Sequence, residues 1–154
     1  MIIEHTINLT EDPDVVWDWV STIDRVADCI PGVENITVIE VNKQYTVVAN
    51  EKVGPFKVSF PMELSVESMS QPLMKIKATG QDKITKTYVQ ANLLVRIDPN
   101  LTSGGTELKL HADLQMKGKL ATLGQGMINR KFTEKIEAFT ENLTEVLERG
   151  KQNA

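Results

Sequence analysis

The chain is poor in the residues on which several specialised classes of protein depend. Cys29 is its single cysteine, so no disulfide can form within the chain and a reducing compartment is expected. Aromatic residues make up 5% of the sequence, too few for the clustered exposed rings that stack on nucleic-acid bases. The 17 basic residues form no strong run and the net charge is −4, which argues against a nucleic acid as the main partner.

Long apolar runs and catalytic motifs are also missing. No stretch approaches the roughly 18 apolar residues of a membrane-spanning helix. The segment Met1 to Glu4 has no basic stretch followed by an apolar run, so no signal peptide is predicted and a cytoplasmic location is expected. There is no phosphate-binding glycine loop, nucleophile elbow or zinc-protease motif, and the 2 histidines do not converge with Cys29 as zinc ligands would. We therefore predict no catalytic residue, no metal and no cofactor.

The composition describes one ordinary domain. The 154 residues are 41% hydrophobic and 25% charged, and a chain of this size can bury a core without a disulfide or a metal. We assign residues 1–150 to a single domain and 151–154 to a short tail.

Apolar residues alternate with polar ones through most of the first two-thirds of the chain, which predicts strands. A first strand at 2–10 is followed by a short helix that Asp12 and Pro13 begin, and by a second one from Asp24 to Cys29. Six more strands are predicted at 33–42, 44–53, 56–66, 73–80, 84–97 and 106–117.

The alternation is clearest in the strands at 56–66 and 106–117. The apolar positions of each strand share one face, and the opposite face is polar, as in an antiparallel sheet with one buried face. Pro61 within the first of them favours an edge position or a bulge. The apolar positions are Phe56, Val58, Phe60, Met62, Leu64 and Val66 in one strand, and Leu108, Leu110, Ala112, Leu114 and Met116 in the other.

The apolar spacing becomes helical from Lys119 to about Arg149. Such a helix is about 45 Å long, and Gly150 is expected to end it. Gly124 and Gly126 fall in one turn, which indicates either a bend or the close approach of another group. A curved sheet with one buried face needs a cover, and this helix is the largest one available. The predicted fold is therefore α+β, with about seven antiparallel strands wrapped around a long C-terminal helix and two short helices after the first strand.

Several short motifs, in this order, resemble the G-subunit family of carbon monoxide dehydrogenase, within the START-like (helix-grip, SRPBCC) superfamily of ligand-binding domains. The resemblance covers nearly the whole chain. The motifs are Val16-Trp17, Cys29-Ile30-Pro31-Gly32, Lys52-Val53-Gly54-Pro55, Gly104-Gly105-Thr106, Ala112-Asp113 and the run from Gly118 to Gly124.

The resemblance implies an accessory role in a molybdenum-hydroxylase system of the carbon monoxide dehydrogenase type. It implies a lipophilic ligand, a quinone or a lipid, held between the sheet and the long helix, and transient contact with the inner face of the membrane. Longer members carry a C-terminal extension used at the membrane, whereas this sequence ends at Ala154. The segment 80–87 is also more polar than the resemblance leads us to expect.

We expect the ligand cavity to be lined by apolar residues of two strands and the helix, although a filled core explains the same pattern. The predicted lining residues are Phe56, Val58, Phe60, Met62, Leu64, Leu110, Leu114, Met116, Leu123 and Met127.

Two other functions stay open. A helix-grip enzyme of the cyclase or hydrolase type would need inward ionisable groups, for which His5 and Tyr88 are the candidates, whereas His111 falls on a polar face. A protein-interaction adaptor would have a filled core. The basic residues near the start of the helix (Lys117, Lys119, Arg130 and Lys131) fit either a solvated face or attraction to anionic headgroups or an acidic partner.

Overall fold

The computed structural model describes residues 1–152, with the side chains of 151 and 152 left out. Seven strands make up most of it: β1 (Ile2–Leu9), β2 (Val33–Glu40), β3 (Gln44–Val53), β4 (Phe56–Ser70), β5 (Leu73–Gln81), β6 (Tyr88–Pro99) and β7 (Thr106–Lys117). The helices are α1 (Pro13–Ser21), α2 (Ile23–Ala27) and α3 (Gln125–Gln152), with a 3-10 helix at Lys119–Leu123.

The strands form one antiparallel sheet in the order β1-β7-β6-β5-β4-β3-β2. Strands β2 to β7 follow one another as hairpins, and β1 pairs with β7, with Ile3 opposite Ala112 and Leu9 opposite Thr106. The sheet is therefore open between β1 and β2. The two short helices connect these edges, and α3 covers the apolar face. The predicted α+β fold, with a seven-stranded sheet and a long C-terminal helix, is confirmed.

Pro61 takes the edge position that the sequence predicts, although β4 as a whole is an internal strand. β4 lies inside the sheet and is not an edge strand. Its pairing with β5 begins only at Met62, opposite Gly80, so the segment Phe56–Pro61 has a partner strand on one side alone. Ser59 N–H points to the side without a partner, because it donates to a side chain of the β5–β6 loop. The backbone nitrogen of Pro61, two residues further along the strand, points to the same side. Because no strand lies there, the sheet loses no hydrogen bond through the N–H that proline lacks.

The start of β6 was predicted too early. The strand begins at Tyr88, and residues 82–87 form a loop. The polar residues of this segment hydrogen-bond to one another and to neighbouring elements instead of joining the sheet. This loop lies at the end of the sheet where α3 begins.

The predicted single helix from Lys119 is interrupted. Gly124 separates the 3-10 helix from α3 and has a φ of 87°, a value that favours glycine. A Cβ atom at Gly124 or Gly126 would meet no atom within 4 Å, so neither glycine marks a close approach, and Gly124 alone marks the bend. The prediction for Gly150 was wrong, because α3 continues to Gln152. Gly150 does not adopt a positive φ, which is the conformation by which a glycine ends a helix. Of the predicted tail, residues 153–154 lie outside the described residues.

Two main apolar clusters fill the space between the sheet and α3. The deep cluster lies under the C-terminal half of α3, where Leu143 is completely buried against strands and α1. The mouth cluster, as we name it, lies at the other end, where α3 begins. Its members are Val53, Val58, Phe60, Val89, Leu114, Leu120 and Ile128, with Met1, Ala49, Phe56, Met62, Ala91, Met116, Leu123 and Phe132 packed against them.

Candidate ligand-binding groove

An open groove of about 720 Å³ lies between α3 and the hairpin of β3 and β4. The α2–β2 loop borders it on one side, and the β5–β6 loop on another. Val58 belongs both to the wall of the groove and to the mouth cluster, so the groove leads directly to apolar side chains. The other lining residues are Pro31, Gly32, Asn50, Glu51, Lys52, Lys57, Ser59, Asp82, Ile84, Lys131, Glu134, Lys135 and Ala138.

A carboxylate faces α3 from the apolar side of β3. Glu51 pairs across the sheet with Val58 and shares the inward face with Val47 and Val53. Its Oε2 lies 3.5 Å from Lys131 Nζ, and its Oε1 contacts Lys135 Nζ. The Glu51 and Lys135 side chains are only 16% and 22% exposed. The ion pairs therefore connect β3 to α3 from a largely buried position.

Lys135 also reaches a third element. Its ammonium donates a hydrogen bond to the Pro31 carbonyl, in the loop between α2 and β2. Burial lowers the pKa of Lys135, because the charged form is less well solvated there. Glu51 and the Pro31 carbonyl compensate for part of that lost hydration.

The charged cluster of Glu51, Lys131 and Lys135 was not predicted, although the sequence carries two signals of it. Glu51 stands on the apolar parity of its predicted strand, and Lys131 and Lys135 are four residues apart on one face of the helix. The pairing itself depends on how the helix lies over the sheet.

Gly32 allows the α2–β2 loop to approach the charged cluster. It has a φ of 85°, and Asn50 N–H donates to its carbonyl at 2.8 Å. A Cβ atom there would lie 2.5 Å from Asn50 O and 3.0 Å from Glu51 Oε1. Neither the backbone conformation nor the space therefore suits a larger residue.

Asp82 fixes the opposite wall of the groove. Its Oδ1 accepts from Ser59 N–H at 3.0 Å, and its Oδ2 accepts from both the N–H and the hydroxyl of Thr85 at 2.7 Å. Burial raises the pKa of Asp82, but the hydrogen bonds outweigh it and the pKa lies below its usual value. The carboxylate thus caps the unpaired edge of β4 and anchors the β5–β6 loop.

Thr87 joins the same loop to the 3-10 helix. Its hydroxyl accepts from Leu120 N–H at 3.1 Å, and both residues are fully or almost fully buried. The segment 80–87 is polar because its side chains make these internal bonds.

Most of the predicted lining residues come together in the mouth cluster. Leu64 packs instead against the deep cluster, and Leu110 contacts the deep cluster and a small third cluster around Ile136. Met127 is 37% exposed, and its sulfur lies beside Gly54 in the β3–β4 turn. That these residues line a cavity stays a prediction. The members of the mouth cluster are Phe56, Val58, Phe60, Met62, Leu114, Met116 and Leu123.

The structure does not bring His5 and Tyr88 together. His5 is half-buried on the inward face of β1, whereas Val89 takes the inward position of β6 and leaves Tyr88 38% exposed on the other face. His111 is half-buried, and its Nδ1 lies 3.1 Å from Glu4 Oε1. Cys29 is a buried free thiol, whose pKa is raised by burial and, to a smaller extent, by Asp28.

The end of the molecule around the groove is rich in exposed lysines. Three of the basic residues predicted near the start of the helical segment are exposed, namely Lys117, Lys119 and Arg130. The fourth, Lys131, forms an ion pair with Glu51. Ile84 projects from the β5–β6 loop with 87% of its surface exposed.

Among the described residues, none of the helices has the length and apolar character needed to cross a bilayer. Within the same part of the chain, no cluster of three or more His, Cys, Asp and Glu side chains could hold a metal ion.

Comparison with known proteins gives one family and one fold. The family model of the carbon monoxide dehydrogenase G-subunit (CoxG) matches residues 6–148. No curated protein sequence matches the chain significantly.

Solved structures share the fold at low sequence identity. A conserved protein from Geobacillus kaustophilus is 18% identical with a TM-score of 0.86, over 97% of this chain and 96% of that one. The Zhui aromatase/cyclase from Streptomyces sp. R1128 is 16% identical with a TM-score of 0.71, over 97% and 94%. Norcoclaurine synthase from Thalictrum flavum is 13% identical with a TM-score of 0.63, over 96% and 86%.

Proposed function

The chain belongs to the G-subunit (CoxG) family of carbon monoxide dehydrogenase, and we propose that it is a non-enzymatic accessory protein that binds a lipophilic small molecule between its sheet and α3. The observation that carries this proposal is the groove of about 720 Å³ whose wall includes Val58 of the mouth cluster. The ligand is a quinone or a lipid, and the partner is a molybdenum-containing dehydrogenase of the carbon monoxide dehydrogenase type.

The two halves of α3 are held in different ways, which supports entry at the groove. Leu143 is completely buried in the deep cluster, and removing such a side chain typically costs about 2–5 kcal/mol. Near the groove, Glu51 holds the helix through largely buried ion pairs, and the cost of taking both charges out of water offsets much of their Coulombic attraction. The ion-paired contacts beside the groove can therefore be exchanged for contacts with water or a charged ligand at lower cost than the contacts of Leu143.

Native mass spectrometry of protein purified from its host tests this function. A retained lipophile that organic solvent removes is the expected result. Val58→Phe, which fills the junction between groove and cluster, should reduce retention, and Val38→Phe on exposed β2 is the matched control. A protein with no retained lipophile and no affinity for added quinone or lipid would sink the proposal.

A helix-grip enzyme is a second candidate, because ionisable side chains do face the groove. Glu51 and Lys135 are inward and partly buried, as an acid–base pair would need to be. The test is to recover an added quinone or fatty acid after incubation. Unchanged recovery supports a binding protein, and a conversion that Glu51→Gln abolishes supports an enzyme.

We also propose transient contact between the lysine-rich end and the cytoplasmic face of the membrane. Ile84 stands between Lys83 and Lys86 at the tip of the β5–β6 loop, so an apolar group is presented together with cations. Binding to vesicles that contain phosphatidylglycerol should exceed binding to pure phosphatidylcholine. It should fall with salt and with Ile84→Asp, but not with Leu101→Asp at the far end of the sheet. Equal binding to both vesicle types would contradict this contact.

A further inference from the structure

The groove has more cationic than anionic side chains available to a ligand. Its lining includes four lysines and three carboxylates, although the whole chain has a net charge of −4. Both oxygens of Asp82 already accept hydrogen bonds from Ser59 and Thr85, and Glu51 lies between two ammonium groups. Glu134 is therefore the only lining carboxylate without such partners in the described chain. The lysines are Lys52, Lys57, Lys131 and Lys135.

Two of these lysines face each other across the hairpin. Lys52 and Lys57 are directly opposite in the β3–β4 register, and like charges in that position destabilise a sheet. Within residues 1–152, neither of them lies within ion-pair distance of a carboxylate. The pair therefore contributes positive potential to the groove without contributing to the stability of the hairpin.

Lys131 connects the polar groove with the apolar interior. Its ammonium has three N–H donors, and its described carboxylate contact is Glu51 Oε2 at 3.5 Å. Its helix neighbours Ile128 and Phe132 belong to the mouth cluster. A ligand that reaches Lys131 thus meets cations on one side and apolar side chains on the other.

We infer that the ligand is an amphiphile with a single apolar chain and an anionic head group, a carboxylate or a phosphate, which Lys131 binds in the groove. The apolar chain then enters the mouth cluster past Val58. Glu51 competes with the head group for the two helix lysines and so limits its affinity. This inference rests on the proposed binding function and narrows its ligand to an acidic lipid, because a neutral quinone has no charge for these lysines to bind.

Titration calorimetry with three probes of similar chain length tests the inference: dodecanoate, 1-dodecanol and a decyl-substituted benzoquinone. Dodecanoate should bind about tenfold more tightly than the two neutral probes. Lys131→Gln should weaken dodecanoate about tenfold and leave dodecanol unchanged. Glu51→Gln should strengthen dodecanoate, since it removes a competing carboxylate. Lys75→Gln, an exposed lysine of β5 outside the groove, is the matched control.

The opposite signs expected for Lys131→Gln and Glu51→Gln separate recognition from damage to the fold, because a loss of structure weakens every probe. Dodecyl phosphate in a parallel titration distinguishes a phosphate head from a carboxylate head. Equal affinity for dodecanoate and dodecanol, unchanged in Lys131→Gln, overturns the inference and leaves the proposed function standing. Failure of every probe to bind overturns both.

Discussion

Replacement of Asp82 by Asn should lower the free energy of unfolding, because its side chain holds the wall of the groove through hydrogen bonds. The carboxylate accepts one backbone N–H on each oxygen, from Ser59 and Thr85. The amide of Asn offers one acceptor oxygen, so one of these N–H groups must face an NH₂ donor in either orientation. A hydrogen bond to a charged group contributes about 1.5–3 kcal/mol to stability. We therefore expect the free energy of unfolding of Asp82→Asn to be lower by that amount.

Thermal and urea unfolding at pH 7 measure this loss. A loss of about 1.5–3 kcal/mol corresponds to about 3–12 °C in Tm for a domain of this size, at about 2–4 °C per kcal/mol. Asp18→Asn is the matched control, because Asp18 forms only an exposed ion pair with Arg25 and should change stability by less than about 1 kcal/mol.

The effect should also depend on pH with a definite sign. The pKa of Asp82 is lowered in the folded protein, so the stabilisation is complete above the unfolded-state value of about 3.9 and is lost as the pH falls through the folded-state pKa. The difference between wild type and Asp82→Asn should therefore be constant from pH 7 to about pH 5 and shrink below about pH 4. A variant as stable as wild type at pH 7, or a difference that persists unchanged in acid, would refute the reasoning.

Three further stability measurements follow from the backbone contacts. Thr87→Val removes the acceptor of the buried Leu120 N–H and should cost about 1–3 kcal/mol in urea unfolding, with a change below about 0.5 kcal/mol contradicting the assignment. Gly105→Ala would place a Cβ atom 2.0 Å from the Leu9 carbonyl oxygen, so a loss of at least about 1–3 kcal/mol is expected, and an unchanged Tm would contradict it. Gly124→Ala should destabilise by about 1 kcal/mol or more because of its φ of 87°, whereas Gly126→Ala, in the helical first turn of α3, should stabilise by about 0.5–1 kcal/mol. Equal effects of these two substitutions would show that backbone conformation does not distinguish them.

The sheet could be predicted because its signal is local. The alternation of apolar and polar residues in 56–66 and 106–117 shows which face of each strand is buried. This can be predicted without knowing the partner strand, because apolar residues face the core and polar residues face water. At Pro61 the sequence indicated an edge position, but it could not show that a second strand covers the rest of β4, since that depends on where β5 ends. The reasoning failed at Gly124, because a period of three to four residues does not distinguish a continuous helix from two segments joined by a bend.

The groove could not be predicted in the same way, because it is made by contacts between distant segments. Asp82 belongs to a polar stretch that was assigned partly to a strand, and only its bond to Ser59 N–H on β4 shows that it completes the edge of another strand. The apolar residues predicted to line a cavity were chosen from parity, which gives the buried face but not the free volume behind it.

Glu51 is a charged residue on the otherwise apolar face of β3, and this exception indicates the site better than the apolar pattern does. A carboxylate on the inward face of a strand costs free energy unless cations meet it, and Lys131 and Lys135 do so from α3. A hydrophobic residue at this position would hold the helix to the sheet without that requirement. The ion pairs keep the groove side of this end polar, beside the apolar mouth cluster, and polar contacts can be exchanged for contacts with a charged ligand or with water at small net cost. The arrangement is therefore suited to an interface that opens at the groove while Leu143 keeps the other end of α3 closed.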